Sequence, residues 1–175
     1  VDAEDIVFDC GCAEGLFTFL TYKQAQHVYA FEPLSDYFDG LLKTFEHVPN
    51  VSLINHALGD TCGTAYLNRA GIASSITSVP TDTTVTINTI DAFCEENGVI
   101  PTYIKADLEG FELHLLHGAK KTIQKHKPKI AITTYHVKTH AQEIKALSLD
   151  FNPSYTILVK GVECNYGAPV MLHAW

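Results

Sequence analysis

The stretch Ile6-Val7-Phe8-Asp9-Cys10-Gly11-Cys12-Ala13-Glu14-Gly15 decides the fold. A short, mostly apolar run enters two glycines, which is the pattern of a buried strand passing into a sharp turn. A helical pattern follows from about Leu16 to Lys23, and His27-Val28-Tyr29-Ala30-Phe31 reads as a second strand closed by Glu32-Pro33. Beyond it, Phe38, Leu41, Leu42 and Phe45 recur at helical spacing behind Ser35, a good N-cap residue type. Val51 to Ile54 is a third strand.

The rhythm then changes. Thr64 to Asn68 and Thr83 to Ile90 alternate like half-exposed antiparallel strands, the second rich in β-branched residues. Asp91 to Asn97 reads as a short helix stopped by Gly98. Strands resume at Tyr103–Ala106 and Lys129–Thr134, separated by a helix carrying Phe111, Leu115, Ala119 and Ile123 on one face. A helix marked by Ala141, Ile144, Leu147 and Phe151 precedes a closing pair of strands, Tyr155–Val162 and Val170–Trp175. Strands alternating with helices imply an α/β protein with a sheet covered on both faces. The handedness of crossovers makes a doubly wound, mostly parallel seven-stranded sheet the economical topology, with an extra β-hairpin after the third strand. We expect one domain over residues 1–175, trimmed at its N-terminus since Val1 is not a Met.

Composition agrees with a folded globular chain: 46% of residues are apolar and 18% charged. Twelve basic against twenty acidic residues give a net charge of −8, which repels phosphate backbones and disfavours a nucleic-acid partner. No apolar run reaches the roughly 20 residues of a membrane span and no signal peptide is visible, so a cytoplasmic setting is expected. The cysteines (Cys10, Cys12, Cys62, Cys94 and Cys164) show no CxxC spacing, and Cys10 and Cys12 would lie on opposite faces of a strand. Reduced thiols are expected from them, not a metal site.

Ligands of open α/β sheets bind beyond the carboxyl ends of the strands. The polar residues that follow apolar runs are Asp9, Glu32, Asp60, Asp107, Glu109 and His136. Gly11 and Gly15 would let the backbone approach a ligand closely, and Asp9 could receive a ligand ammonium group, although a glycine-rich turn alone explains the same residues. Glu32, 17 residues after Gly15, could accept both hydroxyls of a ribose. Asp60 is a candidate for an adenine amino group, with backbone contacts from Ala57 and Leu58, but Gly59-Asp60 is also a common turn pair. Asp107 should point into the crevice; Glu109 and Glu112 can favour a helix N-terminus electrostatically. Ser74 and Ser75, in a small-residue loop, could touch substrate.

Taken together, Asp9-x-Gly11-x-x-x-Gly15, Phe31-Glu32-Pro33, Ala57-Leu58-Gly59-Asp60, Ser74-Ser75, Ile90-Asp91-x-Phe93 and Lys105-x-Asp107-x-Glu109-Gly110-x-Glu112 resemble the FkbM family of S-adenosylmethionine-dependent methyltransferases. The resemblance implies a Rossmann-like class I methyltransferase sheet with its last strand antiparallel. It also implies S-adenosyl-L-methionine as cofactor and O-methylation of hydroxyls on sugars, glycans or polyketide-type acceptors. Cys10 and Cys12 stand where small or aliphatic residues would be expected, and little chain precedes the first strand.

Transfer of a methyl group to an alcohol is helped by a base that takes its proton, and Asp107, His136 and Glu109 are the candidates. No metal ligand set is assigned, although Asp107 with Glu109 leaves a divalent cation open. Asn152-Pro153-Ser154-Tyr155, similar to a motif of amino-methyltransferases, falls at the wrong place in the chain and reads as a turn. His114 and His117 read as a solvated helix face. The competing readings are a nicotinamide-dependent oxidoreductase, against which the missing GxGxxG argues, and a cofactor-binding module without chemistry.

Overall fold

The computed structural model describes residues 1–164 and 167–175. Its central element is a seven-stranded sheet in the order β10-β11-β9-β8-β1-β2-β3. The strands are β1 (Ile6–Cys10), β2 (His27–Phe31), β3 (Val51–Ile54), β8 (Tyr103–Ala106), β9 (Lys129–Thr133), β10 (Ile157–Lys160) and β11 (Met171–Ala174). Strand β1 pairs in parallel with β2 on one side and β8 on the other, with Phe8 opposite Tyr29 and Ile104. The order reverses between β1 and β8, and this is where such sheets open a crevice.

The sheet is mixed but mostly parallel, as expected: among the described residues only the pairings of β11 are antiparallel. Strand β11 runs antiparallel to both β9 and β10, as the family resemblance implies for the last strand. A parallel neighbour needs a long crossover. The crossover through α6 (His140–Phe151) leads to the edge strand β10, and the chain then turns back to insert β11 between β10 and β9 in the opposite direction.

The two strands expected after the third strand pair antiparallel, within a larger unit. Strands β4 (Ala57–Leu58), β5 (Gly63–Asn68), β6 (Ser75–Thr77) and β7 (Thr84–Asn88) form a separate four-stranded sheet in the order β4-β7-β5-β6. An isolated two-stranded ribbon is marginal in water. Here Leu67, Val85 and Ile87 bury their side chains with Ala57 and Leu34 in a second apolar cluster.

Helices cover both faces. On one, α3 (Ile90–Asn97), α4 (Glu112–Gly118), α5 (Lys120–His126) and α6 pack Ile90, Phe93, Leu115, Ile123 and Ile144 against Phe8, Ile104 and Ile132. On the other, α1 (Leu16–Thr21) and α2 (Ser35–Thr44) lie over Val7, Val28 and Ala30. The helix read through Phe111 to Ile123 is broken at Ala119. Gly118 packs against the backbone of Gly59, where an added Cβ would come within 1.9 Å of a carbonyl oxygen. Ser35 lies inside the first turn of α2 and is not its cap; the preceding amide, that of Leu34, donates to Glu32. All five cysteines are free, as expected. Among the described residues no helix is long and apolar enough to cross a membrane.

The most buried packing centres on Phe8, whose ring lies 5.4 Å from those of Tyr29 and Phe31 and 5.6 Å from that of Phe93. Truncating a large core aromatic to Ala removes transfer energy and leaves a cavity, together about 3–5 kcal/mol. Urea unfolding of Phe8→Ala should show a loss of that size; a change below about 1 kcal/mol would mean that this cluster does not anchor the sheet.

Candidate active site

At the carboxyl ends of β1, β2 and β8 the two sheets meet in a narrow crevice of about 60 Å³. Its floor carries Gly11, Ala13 and Glu32; Asp107 and Glu109 form one end, and Ile72 and Ser74 belong to the outer wall. Ligand pockets usually hold roughly 300–1,000 Å³, so this crevice is narrower than a typical site. The mostly exposed segment around Gly71, Ile72 and Ala73 is the wall with the least packing.

Glu32 is nearly buried at the end of β2. Its carboxylate accepts from the Ala13 amide (3.0 Å, Oε2) and the Leu34 amide (2.9 Å, Oε1). Burial pushes its pKa up, and the two amides partly offset that. A carboxylate has about four acceptor sites, so two backbone bonds leave capacity for a pair of neighbouring hydroxyls. Gly11 adopts φ +74°, and a Cβ there would lie 2.2 Å from the Asp107 carbonyl oxygen. Only glycine allows the turn to press against the end of β8. Gly15, at φ +81°, starts α1 and packs on Leu41 and Phe45.

Asp9 does not line the crevice. It is fully buried beneath the turn, accepting from the Thr18 hydroxyl (2.7 Å) and paired with Lys105 Nζ at 3.0 Å. Burial opposes the charge on Lys105, but the Asp9 carboxylate outweighs it and raises the lysine pKa. Lys105 also donates to the carbonyl of Gly11 (2.9 Å), so the acid and the lysine together brace the glycine turn.

Asp107, Glu109 and His136 come together as the sequence suggests. Asp107 Oδ1 accepts from Thr133 (3.1 Å) and lies 3.6 Å from His136 Nε2; Glu109 Oε1 lies 3.4 Å from the same nitrogen. Burial, above all, raises the pKa of Glu109. Burial opposes the charged form of His136, yet its bond to Glu112 and the neighbouring carboxylates prevail and its pKa rises.

The residue that sequence reasoning undervalued is Glu112. Read there as a helix-end charge, it is wholly buried. Its Oε1 accepts from the amides of Leu108 (3.0 Å) and Gly110 (3.3 Å) and from Thr133 (3.3 Å), and His136 Nδ1 lies 2.9 Å away. The other oxygen faces His140 Nδ1 at 3.2 Å. Burial alone would raise its pKa, but the His136 and backbone donors bring it below the ordinary value. His140 had no signal in the sequence; a buried histidine at a helix start looks like any other.

Other candidates fall elsewhere. Ala57 is buried in the peripheral cluster. Asp60 lies in a different depression, where it meets His114 Nδ1 at 2.8 Å, and His114 stacks on Phe111. So His114 has a partner, whereas the sequence reading left it simply solvated. Ser74 reaches the crevice, but its hydroxyl accepts from the Ala70 amide and donates to the Gly71 carbonyl. Ser75 is paired with Asn68 at the start of β6. Asn152 to Tyr155 is a turn, with the Ser154 amide donating to Asn152 Oδ1.

A two-sheet α/β domain with a glycine turn, a β2-terminal carboxylate and a cluster of acids at the switch point has the architecture of the Rossmann-like α/β class. Comparison with known proteins narrows this. The methyltransferase FkbM domain matches residues 9–156, and the chain belongs to that family. It is 30% identical over 128 residues to the hexuronic acid methyltransferase AglP of Haloferax volcanii, covering 70% of this chain and 53% of that protein. The fold is similar to that of a methyltransferase FkbM from Methylobacillus flagellatus KT (TM-score 0.78, 23% identity, all of this chain, 44% of the other). It is also similar to that of Aeropyrum pernix fibrillarin with natively bound S-adenosyl-L-methionine (TM-score 0.59, 13% identity, 99% of this chain and 67% of the other). The chain thus spans about half the length of the relative in Haloferax and of the FkbM structure.

Two substitutions test the buried charges. Removing one partner of a buried ion pair leaves the other uncompensated, at about 3–5 kcal/mol. Lys105→Met should therefore destabilise the fold by that much in chemical unfolding, and an unchanged midpoint would mean Asp9 is stabilised without the lysine. Glu112→Ala should lose about as much, since His136 and Thr133 lose a shared acceptor; a neutral result would refute its organising role.

Proposed function

We propose that this chain is the catalytic domain of an S-adenosylmethionine-dependent O-methyltransferase acting on a hydroxyl of a sugar, glycan or natural-product acceptor. The observation that carries the reading is the single crevice in which a half-satisfied carboxylate, Glu32, opens towards Asp107 and Glu109. Membership of the FkbM family and the likeness to a hexuronic acid methyltransferase support it. Glu32 would hold the ribose hydroxyls, and the Gly11–Ala13 backbone would lie along the cofactor. When bound, adenosylmethionine supplies an electrophilic methyl group on a sulfonium. The residues of this chain then hold the acceptor hydroxyl in line with that methyl, which accounts for much of the rate. Asp107 and Glu109, with His136 behind them, stand ready to take the hydroxyl proton, an effect worth about 10²–10⁴-fold.

Calorimetric titration with adenosylmethionine, adenosylhomocysteine and NAD checks the cofactor. Micromolar binding of the first two and none of NAD is expected, with Glu32→Gln weakening binding about 10–100-fold through loss of charged hydrogen bonds. Binding of NAD alone would overturn the reading. Asp107→Asn should leave cofactor affinity within a few-fold and depress turnover about 10²-fold or more. Undiminished turnover would remove Asp107 from the chemistry.

A further inference from the structure

His136 presents an unusual arrangement. Its Nδ1 lies 2.9 Å from Oε1 of Glu112, a buried carboxylate that can only accept, so that nitrogen carries a hydrogen. This fixes the ring and its tautomer, as outer carboxylates do for metal-bound histidines. The opposite nitrogen, Nε2, is buried and has no hydrogen-bond partner, on a side chain only 8% exposed. It is aimed between two carboxylates, 3.6 Å from Asp107 Oδ1 and 3.4 Å from Glu109 Oε1. Two carboxylates aimed at this nitrogen repel each other and any lone pair on it, which a proton on Nε2 or a metal ion between the three groups relieves.

The spacing fits such an ion. One ligand atom from each of Asp107, Glu109 and His136 lies within 4.8 Å of the others. Neighbouring ligands of an octahedral ion bound at about 2.1 Å are separated by about 3.0 Å, so small rotations of two carboxylates complete the set. Glu109 sits at φ +52°, in the left-handed region that non-glycine residues rarely adopt. That conformation turns it back towards His136. The neighbouring bonds from Leu108 and Gly110 to Glu112 hold the turn in place.

We propose that Asp107, Glu109 and His136 form a binding site for one divalent cation of the Mg²⁺ or Mn²⁺ class, with its open positions facing the crevice. Two carboxylates select a hard ion and the imidazole favours Mn²⁺ over Mg²⁺. The open positions are where an acceptor oxygen would be held. That use of the site rests on the methyltransferase reading; the site itself rests on the side-chain geometry alone.

Mn²⁺ titration followed by electron paramagnetic resonance, on the full chain without adenosylmethionine, tests the site whatever the fate of the cofactor assignment. One site with a dissociation constant on the order of 10⁻⁴ M is expected, displaced competitively by Mg²⁺. Glu109→Gln, a partly exposed change with no structural hydrogen bond to lose, should weaken Mn²⁺ at least 10-fold. Asp107→Asn should do the same and serves if the first variant fails to fold. Glu46→Gln, an exposed acid in the segment after α2, should leave binding as it is. Absence of Mn²⁺ binding up to about 5 mM would overturn the proposal, as would affinity unchanged in both Glu109→Gln and Asp107→Asn.

Discussion

A carboxylate with no exposed surface governs the functional end of this molecule. Glu112 has left water entirely, which is tolerable only when its oxygens are surrounded by donors. The donors to its Oε1 come from two stretches of chain, the turn just before it and the end of β9 with the loop that follows, while His140 at the start of α6 faces the other oxygen at 3.2 Å. These two stretches lie more than twenty residues apart in sequence. The bonds to Thr133 and His136 form only after β8 and β9 have paired, so they report a formed sheet and in turn fix the loops beyond it. Asp107, Glu109 and His136 take their positions from that anchoring.

A second buried charge works across the switch point. Asp9 and Lys105 are direct neighbours in the parallel register of β1 and β8, and their side chains meet on the same face. Lys105 reaches onward to the carbonyl of Gly11, while the Gly11 and Cys12 amides are both held by the Phe31 carbonyl. Pairing of three strands is thereby converted into the shape of one glycine turn. The acid that precedes the turn is therefore a support for the crevice floor. The crevice itself is lined by the backbone it braces and by Glu32.

The outer wall of the crevice belongs to a different architecture. Leu67, Gly71, Ile72 and Ser74 come from the peripheral sheet, whose small core is separate from that of the main sheet. A wall built on a satellite cluster, with Ile72 largely exposed, opens at lower free energy than one built on the principal core.

Sequence alone determined the βα rhythm, since the period of apolar residues is a local property that survives in any tertiary setting. It also located the strand-end acids: Glu32, Asp107 and Glu109 border the crevice because strands of an α/β sheet end on one side. The direction of the final strand was open to the resemblance but not to periodicity, which is the same for parallel and antiparallel neighbours. Composition and spacing could not tell Asp9 from Glu32, because each follows a buried strand; only packing decided that one carboxylate turns under the glycine loop to a lysine and the other stays at its surface. Asp60 lies apart from the crevice because the strand before it, β4, joined the second sheet. Glu112 carries the clearest lesson. As a charged residue at a helix start it looks solvated; two of its donors are amides of the turn before it, but Thr133 and His136 reach it from more than twenty residues away, a long-range property that no local pattern records.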